Sequence, residues 1–84
     1  MYYVYVLQSL VDKKFYTGFT NNLHVRIKEH NAKKVISTKS RTPLILIYFE
    51  ASLNRDDALH RERYLKTTYG KRYLKKRLKN YLSN

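Results

Sequence analysis

The stretch YYVYVLQSLVDKKFYTGFT, residues 2–20, holds two short aromatic runs on either side of a polar segment. Aromatic and β-branched residues suit a pleated surface, so residues 2–8 and 14–20 read as two strands around a turn at Leu10–Lys13. A tight turn would bring Tyr5 roughly opposite Tyr16. Side chains alternate between faces, so Tyr3, Tyr5, Tyr16 and Gly18 would share one side of the hairpin. Valine would serve β-propensity there as well as tyrosine does, which points to phenols kept for chemistry as well as packing. Gly18 weakens its strand and signals the close approach of another group.

Beyond the hairpin, TNNLHVRIKEHN at residues 20–31 reads as a short helix. Asn21 or Asn22 is a good N-cap, and Leu23 with Ile27 forms an apolar stripe. Arg26 and His30 stand four apart and project from one helical face. His24 and His60 lack the close spacing that would make a metal cluster with His30. Residues 32–42 form a polar, basic connection in which Lys39 and Arg41 are candidate phosphate contacts. The run PLILIYFE then reads as a strand; its nearly continuous apolar character suggests burial on both faces, with Pro43 at its first position.

The last half of the chain reads as helical. Asn54 caps a helix and Asp57 stands where a capping-box acid belongs. Ala58, Leu59, Leu65 and Tyr69 recur at helical spacing, and Glu62 falls on the same stripe. A carboxylate facing inward is costly unless it is paired or holds a metal ion. Gly70 is the expected C-cap of this helix. A second, basic helix at about residues 71–82 carries Tyr73, Leu74, Leu78, Tyr81 and Leu82 on its apolar stripe, and Lys71, Arg72, Lys75 and Lys76 as candidate nucleic-acid contacts.

Composition sets the outer bounds. The 84 residues suffice for one domain, residues 1–84, and hydrophobic content of 43% is enough for a core. No cysteine is present, so disulfides and thiolate metal sites play no part. No apolar run approaches the roughly 20 residues of a membrane span, and the N-terminus lacks the basic region of a signal peptide. A cytoplasmic protein without a membrane is expected, its protein partners unspecified. Eighteen Lys and Arg against six Asp and Glu give a net charge of +12. Such an excess repels itself and calls for an anionic partner, nucleic acid foremost.

Taken in order, these features resemble the GIY-YIG nuclease superfamily, in particular its small single-domain bacterial members. Tyr3-Val4-Tyr5 stands for the first triplet and Tyr16-Thr17-Gly18 for the second, with ten residues between Tyr5 and Tyr16. Arg26 matches the family arginine, His30 a position that often carries histidine or tyrosine, and Glu62 the metal-binding glutamate. Tyr3 replaces a glycine and Thr17 an isoleucine. Phe19 stands where some repair nucleases carry lysine, and the asparagine that some members carry beyond the glutamate has no match.

The resemblance implies an α/β fold: a small three-stranded antiparallel sheet flanked by helices, in the order β-β-α-β-α-α. It implies an endonuclease that hydrolyses phosphodiester bonds with a single Mg²⁺ or Mn²⁺ held by Glu62, DNA being favoured over RNA. By the same resemblance Tyr16 is the general base and Tyr5 its helper or water-positioner. Arg26 donates to a nonbridging phosphate oxygen, His30 assists proton transfer or bonds the phosphate, and Gly18 keeps the motif's shape. The alternative is a nucleic-acid-binding module that retains the fold without turnover. A membrane-surface protein would explain the charge, but neither the inward Glu62 nor the tyrosine spacing.

Overall fold

The computed structural model describes residues 1–83. Three strands, β1 (Tyr2–Ser9), β2 (Phe15–Thr20) and β3 (Leu44–Ser52), form one antiparallel sheet in the order β2-β1-β3. Four helices complete the chain: α1 (Leu23–Asn31), α2 (Arg55–Leu65), α3 (Thr68–Arg77) and the single turn α4 (Lys79–Leu82). The expected architecture is present, with one helical turn added at the end.

The central strand is β1, and it is the one buried on both faces from Val4 to Ser9. This corrects the reading of PLILIYFE. β3 is an edge strand, and Ile45 and Phe49 lie partly in solvent. A run of apolar residues cannot report which strand has neighbours on both sides, because an edge strand also packs apolar residues on both faces. A register shift between Val6 and Leu7 leaves Ile47 as an extra residue on β3, so Leu46 and Ile47 face opposite cores.

Alternation along β1 builds those two cores. Val4 and Val6 point to one face and pack with Ala58 of α2, Leu65 at its end and Leu74 of α3. Tyr5 and Leu7 point to the other face, where Leu44 and Leu46 of β3 and Leu23 and Ile27 of α1 meet them. Each fully buried Val or Leu contributes about 1.5–3 kcal/mol of transfer free energy. The sheet is therefore a septum between α1 on one side and α2–α3 on the other.

Local signals fix the helix starts. The Asn22 side chain accepts from the Val25 amide, and that of Asn54 from the amides of Asp56 and Asp57. Gly70 departs from its expected role. α2 ends at Leu65, and Gly70 lies in the first turn of α3, where its amide donates to the Thr67 hydroxyl. A Cβ there would collide with the Tyr64 carbonyl oxygen and the Leu65 Cα. The glycine thus permits a close approach of two helices. The helix expected over residues 71–82 is likewise two elements, α3 and α4, parted at Leu78.

The connection between α1 and β3 is tied down at several points. Asn31 imitates a strand partner, its side chain donating to the Leu44 carbonyl at 2.9 Å and accepting from the Leu44 amide at 2.8 Å. The Ser9 hydroxyl donates to the Arg41 carbonyl at 2.6 Å. Arg41 reaches back to Asp12 in the β1–β2 loop at 3.0 Å.

Candidate active site

The hairpin register links the two tyrosine triplets. Tyr5 pairs with Gly18, and Tyr16 with Leu7, two residues along from the expected pairing of Tyr5 with Tyr16. A turn centred between Val11 and Asp12 already sets this register, and here the loop is four residues, 10–13, closed by a bond from the Ser9 amide to the Lys14 carbonyl. The Ser9 hydroxyl braces it by accepting from the Val11 and Asp12 amides. The shared face survives the shift, because a displacement by two preserves alternation.

Gly18 now has a specific reason. A Cβ at that position would overlap the Tyr5 ring at Cζ and Cε1 and its hydroxyl. The Tyr5 ring thus lies across the bare backbone of β2. That pose carries its hydroxyl to the end of α1, where Oη lies 2.8 Å from His30 Nε2. Both residues are wholly buried. The other ring nitrogen, Nδ1, is 2.8 Å from the hydroxyl of Thr38, itself buried, and Thr38 lies 3.5 Å from the Val35 carbonyl. A carbonyl only accepts, so Thr38 donates to Val35 and accepts from His30 Nδ1–H. Nε2 is then the acceptor, and the Tyr5 O–H donates to it. The whole chain runs one way: Tyr5 to His30, His30 to Thr38, Thr38 to Val35.

Electrostatics agree with that direction. Burial first, then the nearby Arg26 charge, lowers the His30 pKa to about 4, with Glu29 opposing, so the imidazole is neutral at pH 7. Burial raises Tyr5 to about 12, with the hydrogen-bonding Arg26 guanidinium opposing. Tyr5 is therefore a neutral phenol that donates a hydrogen bond to His30, with the Arg26 guanidinium close enough to oppose the rise in its pKa. Contact with Tyr5 raises the Arg26 pKa further, helped by its ion pair with Glu29 at 3.2 Å.

Tyr16 is the more open phenol. Its ring meets His30 edge-on at 5.0 Å and lies 6.4 Å from Tyr5. Its hydroxyl makes no hydrogen bond among the described residues. Glu62 approaches from α2, close enough that its carboxylate is felt at Tyr5. Its side chain is 18% exposed and is neutralised by Lys66 at 3.1 Å, one helical turn on. Lys66 is itself mostly in solvent, and such i,i+4 pairs contribute only about 0.3–0.5 kcal/mol, so Glu62 is readily freed.

Tyr5, Tyr16, Arg26, His30 and Gly18 are thus gathered on one face of the hairpin, with Glu62 near by. The candidate nucleic-acid contacts do not share a surface. Lys39 and Arg41 belong to the connection on the α1 side, and Arg41 is held by Asp12, whose carboxyl Arg41 and the Lys14 amide keep below the usual range. On α3, Lys71 and Lys75 line a groove, whereas Arg72 lies over the Tyr69 ring at 5.9 Å and Lys76 is exposed. Thr38 was not legible as a site residue, since a threonine in a basic loop carries no sequence signal of burial.

Among the described residues no three His, Cys, Asp or Glu side chains come together as a metal cage. A single half-open carboxylate suits a hard cation whose other positions are filled by water and phosphate oxygens, as Mg²⁺ prefers.

The comparisons with known proteins converge on one family. The family model described as the GIY-YIG catalytic domain matches residues 1–77. A UPF0213 protein of Clostridium perfringens is 47% identical over 70 residues, covering 79% of this chain and 71% of that protein. One from Staphylococcus haemolyticus is 40% identical over 67 residues, covering 79% and 80%. An archaeal relative from Haloquadratum walsbyi is 39% identical over 67 residues, covering 79% and 74%. No solved structure matches the chain significantly.

Proposed function

The chain belongs to the GIY-YIG catalytic domain family, a family of nucleases, and on that premise we propose that it is an endonuclease hydrolysing nucleic-acid phosphodiester bonds, DNA before RNA, with one Mg²⁺ or Mn²⁺. The observation that carries this reading is the convergence around Tyr5. A neutral phenol, a neutral imidazole, an open second phenol and a guanidinium meet where the strand backbone is bare, and the Glu62 charge is felt at Tyr5.

The roles follow from the proton inventory. Tyr5 already donates to His30 and is pushed up to about 12, so it is a poor base and a good positioner. Tyr16, whose hydroxyl makes no hydrogen bond among the described residues, is the group to receive the proton of an attacking water, acting as the phenolate after its own O–H proton has passed to solvent. His30 has both ring nitrogens engaged, so of its two expected roles it serves the relay and not a direct phosphate bond. Arg26 presents fixed charge to the oxygens on which negative charge grows in the transition state. Glu62 is the residue to hold the divalent ion, which when bound supplies charge to the phosphate and acidifies water. Lys66 must then release Glu62, and it can turn to the substrate backbone.

A titration of cleavage against Mg²⁺ tests this reading. Glu62→Gln keeps shape and loses charge, and the expected result is a loss of at least about 100-fold in rate at any Mg²⁺ concentration. Undiminished cutting by Glu62→Gln would remove the carboxylate from the mechanism. Binding without cutting in wild type would favour the non-catalytic module instead.

A further inference from the structure

The face of the sheet away from Tyr5 and His30 carries a groove of about 700 Å³. Two separate parts of the chain line it with lysines: Lys13 and Lys14 from the β1–β2 loop, and Lys71, Lys75 and Lys79 from α3 and α4. Lys71 and Lys75 stand one turn apart on α3, and Lys79 at the start of α4 lines the same groove. Phe15 and Leu82 provide apolar surface between the two banks. No acidic side chain lines the groove, and none of the five lysines is ion-paired among the described residues.

Gln8 fixes the banks relative to each other. Its side chain is buried and makes two bonds that cross the groove floor. Its amide donates to the Lys13 carbonyl at 3.0 Å, and its oxygen accepts from the Tyr81 hydroxyl of α4. Lys13 also holds a left-handed backbone, φ 63°, where glycine or asparagine would be less costly. Five cations held around one concavity without a counter-charge repel one another, and a polyanion relieves that repulsion. A concave groove with an aromatic wall accepts a strand of phosphates and bases better than it accepts a flat lipid surface.

We propose that this lysine groove is a second nucleic-acid site, which holds the flank of the substrate while the scissile phosphate lies at Tyr16 and Arg26. The proposal rests on the nuclease reading above and places the substrate on both sides of the sheet. The path between them is short. Phe15 in the groove and Tyr16 in the candidate active site are consecutive on β2, the free edge strand, and point to opposite faces. A strand crossing that edge touches both. Of the cations expected on the terminal helix, this assigns Lys71 and Lys75 to the substrate, adds Lys13, Lys14 and Lys79, and leaves out Arg72 and Lys76.

Binding of fluorescent 30-nucleotide DNA, without metal, tests the assignment independently of cutting. The groove variant is Lys71→Gln/Lys75→Gln/Lys79→Gln. Its charge-matched comparison, Arg72→Gln/Lys76→Gln/Arg77→Gln, alters other positions on α3. The groove variant is expected to lose at least about 10-fold in affinity near 50 mM salt and to flatten the slope of log K against log salt by about 2. The comparison should lose less than about threefold. Equal losses in the two variants, or no loss in the groove variant, would overturn the groove while leaving the nuclease reading intact. If wild type binds no nucleic acid, both fall. If phosphatidylserine vesicles are bound and DNA is not, with that binding lost in the groove variant, the groove is a lipid site and the proposal fails.

Discussion

The residue on which the candidate site depends most is Gly18, because it contributes an absence. Tyr5 occupies the space a side chain at position 18 would need, and only there does its hydroxyl reach His30. Gly18→Ala forces the buried Tyr5 ring to move, and overpacking of this kind costs about 1–3 kcal/mol. Urea denaturation should show a lower midpoint with an unchanged slope. His30 makes a second residue-scale prediction. Its folded pKa of about 4 lies below the reference value of 6.5, so the unfolded chain binds the extra proton between those values. Stability is whole above pH 6.5 and declines as pH falls towards 4. The lowered Asp12 pKa acts only below its reference of 3.8, outside that window. The fall in urea midpoint between pH 7 and pH 4.5 should be largely absent in His30→Gln. In Thr38→Val the Nδ1–H loses its acceptor, and nitrogen NMR should then show the other tautomer or a mixture. A tautomer unmoved by that change would contradict the one-way chain of bonds.

Elements were legible in the sequence where a local signal sets them. Asn22 and Asn54 cap helices because their side chains satisfy amides of their own first turns, and that chemistry is written within a few residues. The strand faces also followed from alternation. The Tyr5–Tyr16 pairing was misplaced by two residues, since the turn at Leu10–Lys13 sets Tyr5 against Gly18, and the Ser9 hydroxyl braces that turn. Gly70 was also misread. A glycine near a helix end resembles a C-cap, while its real constraint, the Tyr64–Leu65 backbone pressed against it, is a contact between elements. Gly70→Ala should therefore cost at least about 2 kcal/mol, more than the gain expected from helix propensity alone. A melt in which Gly70→Ala is as stable as wild type would show that α2 and α3 can part without loss. The tie from α2 to β3 was also hidden. Arg61 bonds Glu50 at 2.9 Å and lies over the Tyr73 and Tyr64 rings, while Tyr48 donates to Glu50.

At the scale of the molecule, the sheet separates two tasks. One face gathers Tyr5, Tyr16, Arg26 and His30, and the other buries most of the aliphatic core and carries the lysine groove beside it. The net charge of +12 announced an anionic partner without locating it. Only the folded chain brings loop lysines at 13 and 14 against helix lysines at 71, 75 and 79. Glu62 stands between these tasks: its helix packs on the core face, yet its charge is felt at Tyr5. Among the described residues no helix is long and apolar enough to cross a membrane. The fold was thus legible through the family resemblance that the spacing of the two tyrosine triplets carries. The hydrogen-bond direction at His30 and the convergence of distant lysines needed three dimensions.

The most direct measurement is cleavage of labelled linear and branched DNA and RNA with Mg²⁺ or Mn²⁺, by wild type beside Glu62→Ala and Tyr16→Phe. Metal-dependent cutting by wild type, lost at least about 100-fold in both variants while each stays folded and still binds, is the predicted result. Cutting by Tyr16→Phe at the wild-type rate, or no cutting of any substrate by wild type, would contradict it.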